Sequence, residues 1–334
     1  MLGLDHKPWL LILTITLATA LLGCVSQPGD PLPTQKTTKP WLTIEDDLGR
    51  EIIIENPPNR IVSTAPSNTE IVFAVGAGDK LVGRTDQCDQ PEEAKKVDSI
   101  GPYWGPSIET IVAKQPDVVL TTGEETTRKN LIEPLASRGI TVVALSPATI
   151  DDVLRDIEMV AKIVGTTETA KRVLQQIETK RAEVRGRVST LREEERKSVL
   201  LIWWFGNEIW TSNGVFANNI VEEAGGKNVN LGFTGYSMIS KEALLKVDPD
   251  VILYPDDMLG GKSFYNLLSS DDALKHLSAV KNHTKKCPTV IPIDANLLSR
   301  PGPRVAIALE EVSRGLYPEL YGKSCPVAKK IEKN

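Results

Sequence analysis

The stretches SIETIVAKQPDVVL, residues 107–120, and SKEALLKVDPDVIL, residues 240–253, align without a gap at a constant offset of 133. Ser107, Glu109, Pro116, Asp117, Val118 and Leu120 of the first match Ser240, Glu242, Pro249, Asp250, Val251 and Leu253 of the second. In each copy the serine suits a helix N-cap, the glutamate lies in the first turn, and the Pro-Asp pair leads from the helix into an aliphatic strand. A unit repeated in this way implies an internal duplication. The chain therefore reads as two similar lobes.

Working outward from the first copy, Leu42 to Asp46 and Arg50 to Glu55 read as a strand pair around Asp47-Leu48-Gly49. Arg60 to Thr64 reads as a buried strand, and Ser67 with Glu70 as a capping box opening a helix that Gly76 ends. Strands are expected at Leu81 to Arg84, Val118 to Thr121 and Ile140 to Leu145, with helices from Ser107 and from Thr126 to Ser137. Strands alternating with helices imply an α/β layer with a mostly parallel sheet. From Thr149 to Glu195 no strand can be placed: Gly165 separates a helix at Asp151 to Val164 from a longer one starting at Thr167. Ala170, Val173, Leu174, Ile177, Val184 and Val188 follow helical spacing there, so one long rod joins the lobes. The rhythm resumes at Ser198 to Trp204, continues with a helix near Asn218 to Ala224, and ends with a helix from Pro301 to Gly315.

The ends of the chain bear on its compartment. Lys7 precedes a run from Trp9 to Gly23 that fits a signal peptide and is diluted by Thr14, Thr16 and Thr19. It closes on Leu21-Leu22-Gly23-Cys24, which resembles a bacterial lipobox and makes Cys24 the expected lipidation site; an uncleaved anchor or a plain secretory signal is the alternative. The expected divisions are a signal peptide at 1–23, a Pro-rich tether at 25–41, a first α/β lobe at 42–148, a helical linker at 149–196, a second lobe at 197–322 and a tail at 323–334. In every version the lobes lie outside the cytoplasm. The formal net charge of -5 argues against nucleic acid as a partner. Of the remaining cysteines, Cys287 and Cys325 both lie in the C-terminal part and could pair, leaving Cys88; all three staying reduced is the alternative.

Candidate binding residues are aromatic. Tyr103 and Trp104 precede the first duplicated helix, while Trp203, Trp204, Phe205 and Trp210 surround the end of the first strand of the second lobe. Ligands of open α/β sheets bind near strand carboxyl ends, so the two groups are expected to face each other across a cleft. Trp203 and Trp204 point to opposite faces if the strand continues, which would bury one of them. Enzyme chemistry finds little support. His6, His276 and His283 form no metal cluster, and neither a nucleophile elbow nor a P-loop is present. Glu109 and Glu242 have two readings, helix-end electrostatics worth about 0.3–1 kcal/mol or exposed charges that orient docking to a two-sided partner.

From Asn59 to Tyr321 the chain resembles the helical-backbone class of ABC importer substrate-binding lipoproteins, which take up cobalamin, iron-siderophore complexes and haem. The resemblance is carried by Arg60-Ile61-Val62-Ser63, Asn68-Thr69-Glu70, residues 101–109 (GPYWGPSIE) and the Pro-Asp pairs. It implies two Rossmann-like lobes joined by one long helix, a monomeric receptor with no resident cofactor or metal, and docking of Glu109 and Glu242 to a permease dimer with cytoplasmic ATPases. Residues 88–94 (CDQPEEA), 204–212 (WFGNEIWTS) and 298–304 (LSRPGPR) are most similar to the cobalamin-binding members. By that analogy Asn68, Gln87, Trp104, Trp210, Asn296, Leu297 and Arg300 line the pocket, with Gln87 standing where relatives can carry an aromatic ring. A corrinoid, with apolar faces rimmed by amides, suits aromatic walls. An anionic ferric siderophore would ask for a basic cluster such as Arg84, Arg300 and Arg304, and haem for a ligand such as Tyr103 or Tyr236. An extracytoplasmic hydrolase or metal-handling enzyme on the same architecture is the reading from another class.

Overall fold

Strands β1 (Leu42–Glu45) and β2 (Glu51–Ile54) form an antiparallel hairpin closed by Asp46, whose carboxylate accepts from the Leu48 and Arg50 amides at 3.1 Å each. The computed structural model describes residues 39–258, 263–323 and 325, so the signal peptide, Cys24 and the tether up to residue 38 lie outside the described residues. Asp46 also accepts from the Ala144 amide at 3.1 Å, which ties the hairpin to the sheet beside it.

The first lobe runs β3 (Ile61–Ser63), α1 (Pro66–Ala74), β4 (Leu81–Arg84), α2 (Ile108–Ala113) and β5 (Val118–Thr121). It continues with α3 (Glu125–Thr127), a π-helical turn at Arg128–Ile132, α4 (Glu133–Ala136) and β6 (Thr141–Ala144). Its four strands are parallel in the order β4-β3-β5-β6. Then come α5 (Ile150–Val164) and α6 (Thr167–Val188). Gly165, at φ 78°, ends α5 in the left-handed region that glycine enters at little cost. At 1.5 Å per residue, the 22 residues of α6 span roughly 33 Å.

The second lobe runs β7 (Ser198–Phe205), β8 (Ile209–Asn213), α7 (Phe216–Glu223), β9 (Lys227–Asn228), β10 (Gly235–Ile239), α8 (Lys241–Val247) and β11 (Val251–Pro255). It ends with α9 (Phe264–Ser270), α10 (Ser278–Lys281), β12 (Val290–Ile293), α11 (Ala295–Ser299) and α12 (Val305–Leu316). Its parallel strands lie in the order β9-β7-β11-β12, which is the first lobe's order again. What it adds is antiparallel: β8 pairs with the far end of β7, and β10 pairs with β8.

The repeated residues explain why the two units fold alike. Val118 and Leu120, with Val251 and Leu253, face one apolar cluster that runs through both lobes beneath α1, α5, α6 and α12, while Val119 and Ile252 face separate outer clusters. Parallel strands buried on both sides need such unbroken aliphatic runs. The Ser107 hydroxyl accepts from the Thr110 amide and the Ser240 hydroxyl from the Ala243 amide, so both caps form. Asp117 accepts from the amides of Asn59 and Arg60 at 2.7 and 2.9 Å, and Asp250 from the amide and hydroxyl of Ser198 at 2.8 Å each. Each aspartate therefore fastens its strand to the start of the lobe's first strand. Gln115 and Asp248, again 133 residues apart, stop the two helices at φ 48° and 38°.

Two expectations change. The helix after β3 has Ala65 as its N-cap and Pro66 in its first turn, with no side-chain cap, so Ser67 and Glu70 form no capping box. Pro66, which lacks an N–H, takes a place where an amide would have gone unbonded, and Glu70 is turned to the other lobe instead. The last long helix starts at Val305, because Pro301-Gly302-Pro303 make a crossing loop that meets the first turn of α1. A Cβ on Gly302 would lie 3.5 Å from the Ser67 carbonyl oxygen. Cys287 and Cys325 form a disulfide, and Cys88 is free and buried.

Candidate ligand cleft between the lobes

On the first lobe the strand ends are held by a closed set of buried hydrogen bonds. Thr64 donates to Thr121 at 2.8 Å, Thr69 to Ser63 at 2.8 Å, and the Asn68 amide to the Thr121 carbonyl at 3.0 Å. Asn68 is thus spent within the lobe, beneath the cleft surface. From this floor the long loop after β4 rises. Gln87 accepts from the Tyr103 amide at 2.7 Å and fixes the turn that carries Tyr103 and Trp104, whose rings meet edge-on at 4.7 Å. Trp104 is 87% exposed.

On the second lobe the aromatic group sits on paired strands rather than on a loop. Trp204 lies across from Trp210, and Trp210 across from Met238, while Tyr236 pairs with Ser212. Side chains alternate along strands, so Trp204, Trp210, Tyr236 and Met238 share one face, all of them exposed. Trp203 occupies an irregularity between Ile202 and Trp204; it is half-buried, donates to the Ser212 hydroxyl at 2.8 Å and meets the Tyr236 ring edge-on at 5.8 Å. Phe205 points the other way, against Phe264 at 5.1 Å, and belongs to the outer core. Leu297 is buried in the shared core, and Asn296 is half-buried on α11.

A tyrosine on each wall feels the same carboxylate. Desolvation, followed by the Glu124 carboxylate, pushes the Tyr103 and Tyr236 hydroxyls above the ordinary phenol range, and Tyr236 adds to the rise at Tyr103. Both are therefore neutral donors at neutral pH, Tyr103 sharing its hydroxyl with Thr122.

The arginines expected to form a basic cluster are already engaged. Arg84 donates to the carbonyls of Thr85, Asp86, Ala94 and Lys95. Arg304 holds Glu70 with two bonds of 2.8 Å, and Arg300 holds Asp89 at 2.5 Å. Glu70 and Asp89 belong to the first lobe and both arginines to the second, so these pairs bridge the lobes. Glu109 and Glu242 are exposed in the first turns of α2 and α8. The Ser240 hydroxyl, then a backbone amide, lowers the pKa of Glu242. Among the described residues no group of three or more His, Cys, Asp or Glu side chains could hold a metal, and no helix is long and apolar enough to cross a membrane.

Residues 61–284 match the model of the periplasmic binding protein family. The chain belongs to that family. An uncharacterized ABC transporter substrate-binding lipoprotein of Bacillus subtilis, YvrC, is 29% identical over 316 residues, 94% of this chain and 97% of the relative. A vitamin B12-binding protein of Pectobacterium atrosepticum is 26% identical over 258 residues, 76% of this chain and 87% of that one. The periplasmic haem-binding protein RhuT of Roseiflexus sp. RS-1 superposes with a TM-score of 0.66 at 24% identity, over 78% of this chain and 99% of its own. As a family member, the chain is the extracytoplasmic substrate-binding component of an ABC importer and not an enzyme.

Sequence reading found four of the exposed aromatic and tyrosyl groups but entered Tyr236 only as a haem ligand, and it missed Met238, Glu124 and the role of Glu70. Signals for the sheet existed: Gly206-Asn207-Glu208 between two β-rich runs is a hairpin pattern, and Tyr236 and Met238 alternate with Ser237 and Ile239. Glu70 had no such signal, since Arg304 is 234 residues away.

Proposed function

We propose that the protein is a monomeric, lipid-anchored receptor that captures a corrinoid between its lobes and docks to a permease through Glu109 and Glu242. The observation that carries the ligand class is the broad exposed face of Trp204, Trp210, Tyr236 and Met238, beside a cleft where Arg300 and Arg304 are paired with carboxylates and Arg84 is held by backbone carbonyls. Such a surface suits a large, largely apolar ligand rimmed by neutral amides. An anionic siderophore would have to displace Asp89 or Glu70 to reach Arg300 or Arg304. Haem bound through tyrosine would need a phenolate, which desolvation and then the Glu124 charge oppose. The vitamin B12-binding relative supports the same choice.

Isothermal calorimetry with cyanocobalamin, a ferric hydroxamate and haemin tests the ligand class. One-to-one binding of cyanocobalamin with heat-capacity loss is expected; binding of one of the others instead would replace the corrinoid. For docking, Glu109→Ala with Glu242→Ala should abolish uptake of labelled cobalamin by cells and leave affinity in solution unchanged. Labelling with radioactive palmitate, lost in Cys24→Ser, tests the anchor.

A further inference from the structure

Asp89, Arg300, Glu70 and Arg304 form a line of alternating charge across the lobe boundary, and its two ends are built differently. At the inner end Glu70 is 5% exposed and grips Arg304 through both oxygens, beside the close approach of Gly302 to Ser67. At the rim end Asp89 is 43% exposed and holds Arg300 by one nitrogen at 2.5 Å. Between them, the same Arg300 nitrogen stands 3.7 Å from Glu70.

We infer that Asp89 is a releasable strap and Glu70 a fixed pin. Unliganded, the Asp89–Arg300 pair holds the rim of the cleft together; a ligand oxygen takes Arg300 from Asp89, and the rim is freed while the Glu70–Arg304 pair still joins the lobes. Release is cheap for a specific reason. A largely buried guanidinium stripped of every carboxylate would be left uncompensated and costly, but when Asp89 lets go Glu70 remains beside Arg300. Asp89, being nearly half exposed, recovers water. Asp89 is thus a positioning residue that competes with the ligand for Arg300. Arg314 and Arg128 also pair with acids, but within their own helical segments, where letting go moves nothing.

The strap rests on the cleft being the binding site and not on which ligand fills it. The test uses the full chain without ligand, carrying genetically encoded spin labels at Thr126 and Asn207, exposed positions on the two lobes. In Asp89→Asn the distance distribution between the labels should shift to longer values, with the melting temperature nearly unchanged, and Asp89→Glu should restore it. In Glu70→Gln the melting temperature should fall clearly. An unshifted distribution in Asp89→Asn, or a loss of stability there as large as in Glu70→Gln, would overturn the inference. With cyanocobalamin as probe, Asp89→Asn should bind about two- to fivefold more tightly, the competition of a part-exposed ion pair being removed; equal or weaker binding would overturn the competitive role. If neither protein binds cyanocobalamin while the label distance still shifts, the strap stands and the corrinoid assignment fails.

Discussion

The two lobes share a strand order, a capped helix before the third strand of each sheet and an aspartate that fastens that strand to the first, yet they present different surfaces to the cleft. The first lobe follows β4 with a long irregular loop, where Gln87 holds the Tyr103-Trp104 turn. The second extends β7 into an antiparallel sheet and sets Trp204, Trp210, Tyr236 and Met238 on a regular face. On the proposed function, the duplicated parts carry stability and the added parts carry recognition. A paired-strand wall beside an irregular loop is an arrangement that one symmetric pair of lobes would not supply.

The comparison can be broken most severely where the lobes touch. Glu70→Gln should cost about 3–5 kcal/mol in urea unfolding, since two arginines lose their buried partner, whereas Asp89→Asn should cost under ~1 kcal/mol. The next effect belongs to the first of the two linker helices. Asp156 is fully buried, no donor reaches either of its oxygens, and desolvation followed by the Asp47 charge raises it from 3.8 to about 8. Its unfolded form ionises first, so stability should fall as pH rises from about 4 to about 8. Asp156→Asn should flatten that slope and stabilise the protein by about 2–4 kcal/mol at pH 7, with no gain at pH 3.5; thermal melts across the range would show it.

A third prediction sharpens the contrast in recognition. Trp204→Ala with Trp210→Ala should weaken cyanocobalamin binding about 30-fold, while Trp104→Ala, so exposed without ligand, should weaken it about threefold. Calorimetry giving the reverse order would move the main wall to the first lobe. The smallest effect tests the likeness itself: Asp117→Ala and Asp250→Ala should each cost about 1 kcal/mol, and by similar amounts, because each removes one carboxylate that accepts two hydrogen bonds.

Much of the frame was legible beforehand. Val118–Thr121 forms the strand expected of it, Gly165 parts the two linker helices, and Ser107 and Ser240 both cap. These features rest on local chemistry: a hydroxyl reaching an amide three residues on, glycine at positive φ, aliphatic runs buried on both faces. The long helix shows the limit of such reading. Ala170, Ile177, Val184 and Val188 are buried as their spacing requires, but Arg181 is buried among them. It is held there by Glu223 at 2.7 Å and Asp151 at 2.5 Å. Desolvation at Glu223 is outweighed by its bonds from Arg185 and Arg181, and its pKa is drawn down to about 2. Nothing in the spacing tells a buried, paired arginine from an exposed one.

By itself, then, the sequence determined that this is a duplicated α/β chain with a long connecting helix, because periodicity and capping act over a few residues and repeat wherever the residues repeat. Only the tertiary structure decided which charges are free for a ligand and which bind lobe to lobe. Glu70 finds Arg304, and Asp89 finds Arg300, across more than 200 positions of chain. Such pairings follow from how the shared core brings the lobes together, a condition that no local pattern encodes.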